Sequence, residues 1–132
     1  MGKRKILFAD DKETIRDLMS EFIKVGFPDY DTESFKDGAS LGNRLERISG
    51  GENRDVDLVI TDHEMPGING IDLIKQYSTK IDVPIILCTG SGEGIGKQAI
   101  EYGAVSYILK PFRIANFIEE VQKALDYSEN RS

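Results

Sequence analysis

Five short apolar runs, each followed by a segment with helical periodicity, constrain this chain more than any other feature of its sequence. The runs are Ile6-Leu7-Phe8, a weaker stretch from Tyr30 to Phe35, Leu58-Val59-Ile60, Ile85-Ile86-Leu87 and Tyr107-Ile108-Leu109. Four are unbroken, as expected of strands covered on both faces in a parallel sheet. The Tyr30 to Phe35 stretch mixes polar with apolar residues and suits an edge strand. Between the runs, Ile15, Leu18, Met19, Phe22 and Ile23 recur three and four apart, which predicts a helix from about Lys12 to Val25. Leu41, Leu45 and Ile48 mark a second helix; Ile71, Leu73 and Ile74 mark a short third. Ile95, Ala99 and Ile100 suggest a fourth, weakened by glycines at its start, and Phe117, Ile118, Val121 and Leu125 define a fifth ending near Tyr127.

A βα unit repeated five times, joined by right-handed crossovers, gives a parallel sheet with helices on both faces. The prediction is one α/β domain over residues 1–132: a single doubly wound five-stranded sheet flanked by five helices, with a core over about residues 5–125 and a frayed tail over 128–132. A length of 132 residues suits one domain and allows folding to bury roughly two-thirds of the unfolded surface. Seventeen basic against 23 acidic residues give a net charge of −6, and Lys3-Arg4-Lys5 is the only basic cluster. Direct nucleic-acid binding, which draws on clustered Lys and Arg, is therefore not expected. No apolar run approaches the ~18 residues of a membrane span, the basic start lacks a signal core, and the single cysteine, Cys88, permits no internal disulfide. These features fit a cytoplasmic protein with no membrane association.

In open α/β sheets ligands bind beyond the carboxyl ends of the strands, so the residues that follow each run carry the functional argument. Asp10 and Asp11 follow the first; Asp62 follows the third, opening Asp62-His63-Glu64-Met65-Pro66-Gly67-Ile68-Asn69-Gly70. Thr89 follows the fourth, and Lys110-Pro111-Phe112 ends the fifth. Each has a bland explanation: Asp11 as a helix cap, Asp62 as a turn former, Thr89 as a β-branched strand end, Lys110 as a solvated lysine. Together they converge on one rim. Three neighbouring carboxylates repel, so a proton or a cation must compensate, and hard oxygen donors with room for water and phosphate point to Mg²⁺. A carboxylate beside a metal, with no general base, is suited to nucleophilic attack giving an acyl phosphate. An ammonium such as Lys110 would stabilise the phosphoryl charge, and Thr89 offers a hydroxyl donor. The reading requires the Asp62 carboxyl to lie near Asp10 and Asp11 and to remain open to solvent. Tyr107, three residues before Lys110 on the same strand, should face the opposite way. His63 should point away from Asp62 as an exposed loop residue, and Cys88 should be core.

These residues resemble the response-regulator receiver family, the CheY-like domains, over roughly Lys5 to Leu125. Five features fall in order: Asp10-Asp11; Asp62 with Met65-Pro66 and Gly70; Thr89; Gly103-Ala104 ahead of Tyr107; and Lys110-Pro111-Phe112. The resemblance implies strand order 2-1-3-4-5 and a phosphorelay function. Asp62 would accept the phosphoryl group from a sensor histidine kinase or phosphotransfer protein. Asp11, Asp62 and the Glu64 backbone carbonyl would bind Mg²⁺, with Asp10 acting partly through water. Lys110 and Thr89 would stabilise the phosphoryl group. Thr89 and Tyr107 would move together, remodelling the face of the fourth helix, fifth strand and fifth helix, a two-state element biased by a local charge change. Glu64 and Ser91 would tune the phosphoryl lifetime, and the Lys110-Pro111 bond would be cis. The chain would act as a switch rather than an enzyme with a separate substrate. It ends soon after the fifth helix, so its output is expected through a downstream protein or an attached domain, with phosphorylation-dependent homodimers one form this could take.

Two stretches depart from the family pattern. Ser49 to Asp55 lengthens the connection before the third strand, far from the rim. Gly90-Ser91-Gly92-Glu93-Gly94-Ile95-Gly96 is glycine-rich, and since glycine weakens a helix by about 1 kcal/mol per residue, this loop and the helix start are expected to be mobile. The run is no nucleotide motif: residue 91, five before Gly96, is Ser, Gln98 follows Lys97, and position 95 is Ile where a dinucleotide fingerprint needs Gly. A flavodoxin-like carrier would meet anion repulsion from Asp10-Asp11, and an aspartyl phosphatase would need its acid pair alternating rather than adjacent. A degenerate receiver that binds partners without phosphorylation is disfavoured because no key position is missing.

Overall fold

The apolar runs form five parallel strands, β1 (Lys5–Ala9), β2 (Asp31–Phe35), β3 (Val56–Asp62), β4 (Ile85–Thr89) and β5 (Ser106–Leu109), in the order β2-β1-β3-β4-β5. The computed structural model describes residues 4–52 and 55–131. Met1 to Lys3 in the basic start, Asn53 and Arg54 in the long connection before β3, and Ser132 lie outside the described residues. The strands alternate with α1 (Glu13–Gly26), α2 (Gly38–Ser49), α3 (Gly70–Tyr77), α4 (Glu93–Tyr102) and α5 (Ile114–Arg131).

Period-two alternation along the strands divides the core in two. Leu7, Val59, Ile85 and Leu87 face one side, where Leu41 and Leu45 of α2, Leu73 and Ile74 of α3 and Ala99 of α4 cover them. Ile6, Phe8, Leu58, Ile60, Ile86 and Ile108 face the other, beneath Met19 and Ile23 of α1 and Phe117 and Val121 of α5. Each fully buried Leu, Ile or Phe stabilises the fold by about 1.5–3 kcal/mol relative to exposure. Three central strands thus have two buried faces, which is why their sequences are apolar without a break. β2 is the exposed edge its mixed composition suggested. Among the described residues no helix is long and apolar enough to cross a membrane.

Two details, the end of α5 and the burial of His63, differ from expectation, and two others, at Asp11 and Arg44, add to it. α5 does not end near Tyr127 but continues to Arg131, and Ser128-Glu129-Asn130-Arg131 contains no glycine or proline to stop it. Asp11 does not cap α1. Lys12 is the N-cap residue, without a side-chain cap, and it is Asp10 Oδ1 that accepts from the Lys12 N–H at 2.9 Å. His63 is half-buried rather than exposed, its Nδ1 accepting from the Ile71 N–H at 3.4 Å at the start of α3. α2 carries an almost fully buried cation, Arg44, whose Nε donates to Glu33 Oε1 on β2 at 2.9 Å and Nη2 to Oε2 at 3.2 Å. The glycines at its start do not prevent α4 from forming.

Candidate functional site at the carboxyl rim

Parallel pairing aligns the strand ends. Ala9 of β1 lies opposite Thr61, Asp62 opposite Cys88, and Thr89 opposite Leu109, so the residues that follow these positions share one rim. Asp62 is itself the last residue of β3, within the ladder, and the next N–H, that of His63, donates to the Cys88 carbonyl at 2.9 Å. The backbone beneath the acidic group is therefore held on the sheet and not on a loop. Gly70 lets α3 close against it: a Cβ there would lie 2.5 Å from the Asp62 carbonyl oxygen and 2.5 Å from Leu87 Cδ1.

Asp10, Asp11 and Asp62 each offer a carboxylate oxygen, and these atoms all lie within 4.8 Å of one another. Asp11 is exposed, whereas Asp10 and Asp62 are buried. Lys110 Nζ donates to Asp10 Oδ2 at 2.6 Å and to Asp62 Oδ1 at 3.0 Å, so the acids and the ammonium expected from the sequence do meet. The Asp62 side chain is only 1% exposed, so of the two requirements set by the sequence reading the clustering of the acids is met and the opening of this carboxyl to solvent is not. The ammonium of Lys110 sits directly on its Oδ1. Burial pushes the Asp62 carboxyl up to about 6, despite the opposing hydrogen bond and charge of Lys110. Burial would lower Lys110, but its two carboxylate partners outweigh that and hold it above the usual lysine range. Two buried acids, one exposed acid and one ammonium leave excess negative charge. A hard divalent cation is the compensation that this all-oxygen donor set fits.

The β4–α4 connection has a structure that composition did not reveal. Thr89 Oγ1 donates to Glu64 Oε2 at 2.7 Å, Ser91 Oγ donates to the same oxygen at 2.7 Å, and the Gly90 N–H donates to Oε1 at 3.2 Å. The Ser91 N–H in turn donates to Thr89 Oγ1 at 3.0 Å. Burial alone would raise the Glu64 carboxyl, but these three donors together hold it below its usual range. The sequence pointed to Glu64 and Ser91 as pocket neighbours but gave no sign that the carboxylate would take the threonine hydroxyl. Their two-residue offset from Asp62 and Thr89 on adjacent strands was the available signal.

Tyr107 is half-buried against the α4 side of the core. Its ring rests on Gly96, where a Cβ would lie 2.5 Å from Cγ. Cys88 is fully buried, and burial pushes its thiol up. The Lys110-Pro111 peptide is cis, as expected.

Comparison with known proteins agrees with this geometry. The family model of the response regulator receiver domain matches residues 6–122. The transcriptional regulatory protein ResD of Bacillus subtilis is 33% identical over 126 residues, covering 94% of this chain and 49% of ResD. The transcriptional regulatory protein PdtaR of Mycobacterium tuberculosis is 29% identical over 123 residues, covering 92% of this chain and 57% of PdtaR. The chain thus spans about half the length of these curated relatives. Among solved structures, a receiver domain protein from Clostridium thermocellum superposes with a TM-score of 0.81 at 22% identity, covering 98% of this chain and 99% of that one. The signal receiver domain of a Luxo repressor protein from Vibrio parahaemolyticus gives 0.83 at 20% identity, covering 98% and 95%. Two packed faces, the 2-1-3-4-5 order and an acid–lysine rim therefore converge with sequence similarity over most of the chain: it belongs to the response regulator receiver family.

Proposed function

We propose that this domain, residues 1–132, is a phosphorelay switch in which Asp62 is phosphorylated with Mg²⁺. The observation that carries this is the Asp62 carboxyl clustered with those of Asp10 and Asp11 and bonded to Lys110 at 3.0 Å. A phosphohistidine on a sensor kinase or phosphotransfer protein is the donor. An Asp62 carboxylate oxygen attacks phosphorus, the P–N bond breaks with its electron pair leaving on the imidazole, and an acyl phosphate forms. With the carboxyl raised to about 6, the attacking group is mostly ionised near neutral pH. Because that carboxyl is buried, Lys110 must swing from Oδ1 toward the incoming phosphoryl oxygen, uncovering the nucleophile as it neutralises the charge. Asp11, Asp62 and the Glu64 backbone carbonyl would hold Mg²⁺, with Asp10 reaching it through water. When bound, the ion supplies charge compensation to the phosphoryl oxygens.

Thr89 then donates to the phosphoryl group and Tyr107 follows, changing the α4–β5–α5 face offered to a downstream protein, an attached domain or a second copy. Glu64 and Ser91 set how long the phosphoryl group persists. Because catalyst and substrate are one molecule, the domain is a switch without turnover of a separate substrate. It acts in the cytoplasm, without direct contact to nucleic acid or membrane. Incubation with acetyl phosphate and Mg²⁺ followed by intact mass measurement tests this. One added phosphoryl group is expected, absent in Asp62→Asn; no addition to the wild-type chain would overturn the reading.

A further inference from the structure

The Thr89 hydroxyl has one proton, and Glu64 already holds it. Three donors converge on this one carboxylate: the hydroxyls of Thr89 and Ser91, each at 2.7 Å, and the Gly90 N–H at 3.2 Å. Two hydroxyls and a backbone N–H gathered on an anion form an anion-recognition set, and hydrogen bonds to ionised acceptors are the stronger kind. Asp62, the neighbour of Cys88 across the β3–β4 ladder, sits one residue in register from Thr89. A phosphoryl group on Asp62 would present oxygens of the same charge to the same donors. Thr89 itself is fully buried, and the Ser91 N–H holds its hydroxyl further in place by donating to the same oxygen at 3.0 Å.

We propose that Glu64 is an internal competitor for the phosphoryl-recognising donors, a latch that holds the start of the β4–α4 loop in its resting arrangement until a phosphoryl group displaces it. This rests on the phosphoacceptor reading of Asp62 and specifies its regulation. The latch assigns Glu64 a positioning role that acts through Thr89, and it makes the resting loop more ordered at Gly90 and Ser91 than its glycine content implies. Loss of the latch favours the switched state without adding any contact to it.

Two variants separate the latch from the mere charge of Glu64. Glu64→Ala removes both, while Glu64→Asp keeps the charge on a side chain too short to hold all three donors. Beryllofluoride with Mg²⁺ serves as the phosphoryl probe, titrated while the Thr89 and Gly90 amide resonances are followed. Half-conversion is expected at roughly fivefold lower beryllofluoride in both variants, a modest effect because Glu64 is exposed. Amide exchange at Gly90 in the ligand-free protein should rise several-fold in both, with Cys88 in β4 unchanged. Tightening in Glu64→Ala alone would mean that charge, not the latch, opposes the phosphoryl group and would overturn the proposal, as would unchanged Gly90 exchange. A wild-type chain inert to beryllofluoride would overturn the phosphoacceptor reading and the competition with it, while the exchange comparison still decides whether the latch exists.

Discussion

Replacing Asp62 by asparagine should stabilise the Mg²⁺-free protein, and the pH dependence of that gain reports the cause. The carboxyl is buried and raised from 3.8 to about 6. For a group raised on folding, the contribution to stability is fully present below the unfolded value and is lost as pH climbs through the folded one. At about 1.36 kcal/mol per pH unit, the ionised carboxylate costs the fold about 3 kcal/mol near neutral pH. The substituted amide would carry no such cost, though it must find partners, at about 1 kcal/mol. Lys110 is not orphaned by the change, because Asp10 Oδ2 remains at 2.6 Å. The expected net gain is therefore about 2 kcal/mol near neutral pH. It should shrink as pH falls and become a loss of about 1 kcal/mol below pH 4, where the wild-type carboxyl is protonated in both states. Urea unfolding of both proteins in chelator across this range measures it, with equal m-values showing that the denatured state is unchanged. A variant less stable than wild type at neutral pH, or a pH-independent difference, would refute the argument. Millimolar Mg²⁺ should close the gap by stabilising the wild-type chain alone.

Other outcomes follow from the same contacts. Lys110→Ala should still bind Mg²⁺, followed by calorimetry, yet respond poorly to phosphorylation, since it loses the ammonium bonded to Asp62; unchanged signalling would count against the mechanism. Gly96→Ala should displace the Tyr107 ring and destabilise the fold by about 1–3 kcal/mol, the usual cost of overpacking, despite alanine's better helix propensity; denaturant unfolding and Tyr107 ring resonances read both effects. Amides from Gly92 to Lys97 should exchange quickly in the unphosphorylated protein because three glycines weaken the first turn of α4; slow exchange across the segment would contradict this. Glu33→Gln should cost about 1.5–3 kcal/mol by removing the charge that faces the buried Arg44 guanidinium from a half-buried position, measurable as a drop in unfolding midpoint.

The architecture was legible because burial on both sheet faces leaves few sequence solutions. Ile6 to Phe8 and Leu58 to Ile60 could be little other than central strands, and the rim residues follow from where those strands stop. Asp10, Asp11, Asp62 and Lys110 were readable for that reason. What stayed hidden depends on side-chain direction across long sequence separations. Arg44 reads as a solvated helix residue until Glu33, 11 positions earlier on β2, turns out to face it beneath the surface. Glu64 and Thr89 are 25 residues apart, and only the register of β3 and β4 brings them together. The burial of the Asp62 side chain, with Lys110 on its Oδ1, is likewise a packing outcome. Residues 128–131 resisted for a different reason: polar composition argues for fraying as readily as for a solvated helix.

Anchoring Asp62 in the β3–β4 ladder has a mechanical consequence for the proposed switch. A new group on residue 62 cannot be accommodated by the retreat of a strand whose next amide is bonded to Cys88. Whatever yields must be the connection facing it, so the direction of travel is fixed before any donor arrives, and the stiff partner passes its whole displacement to the soft one.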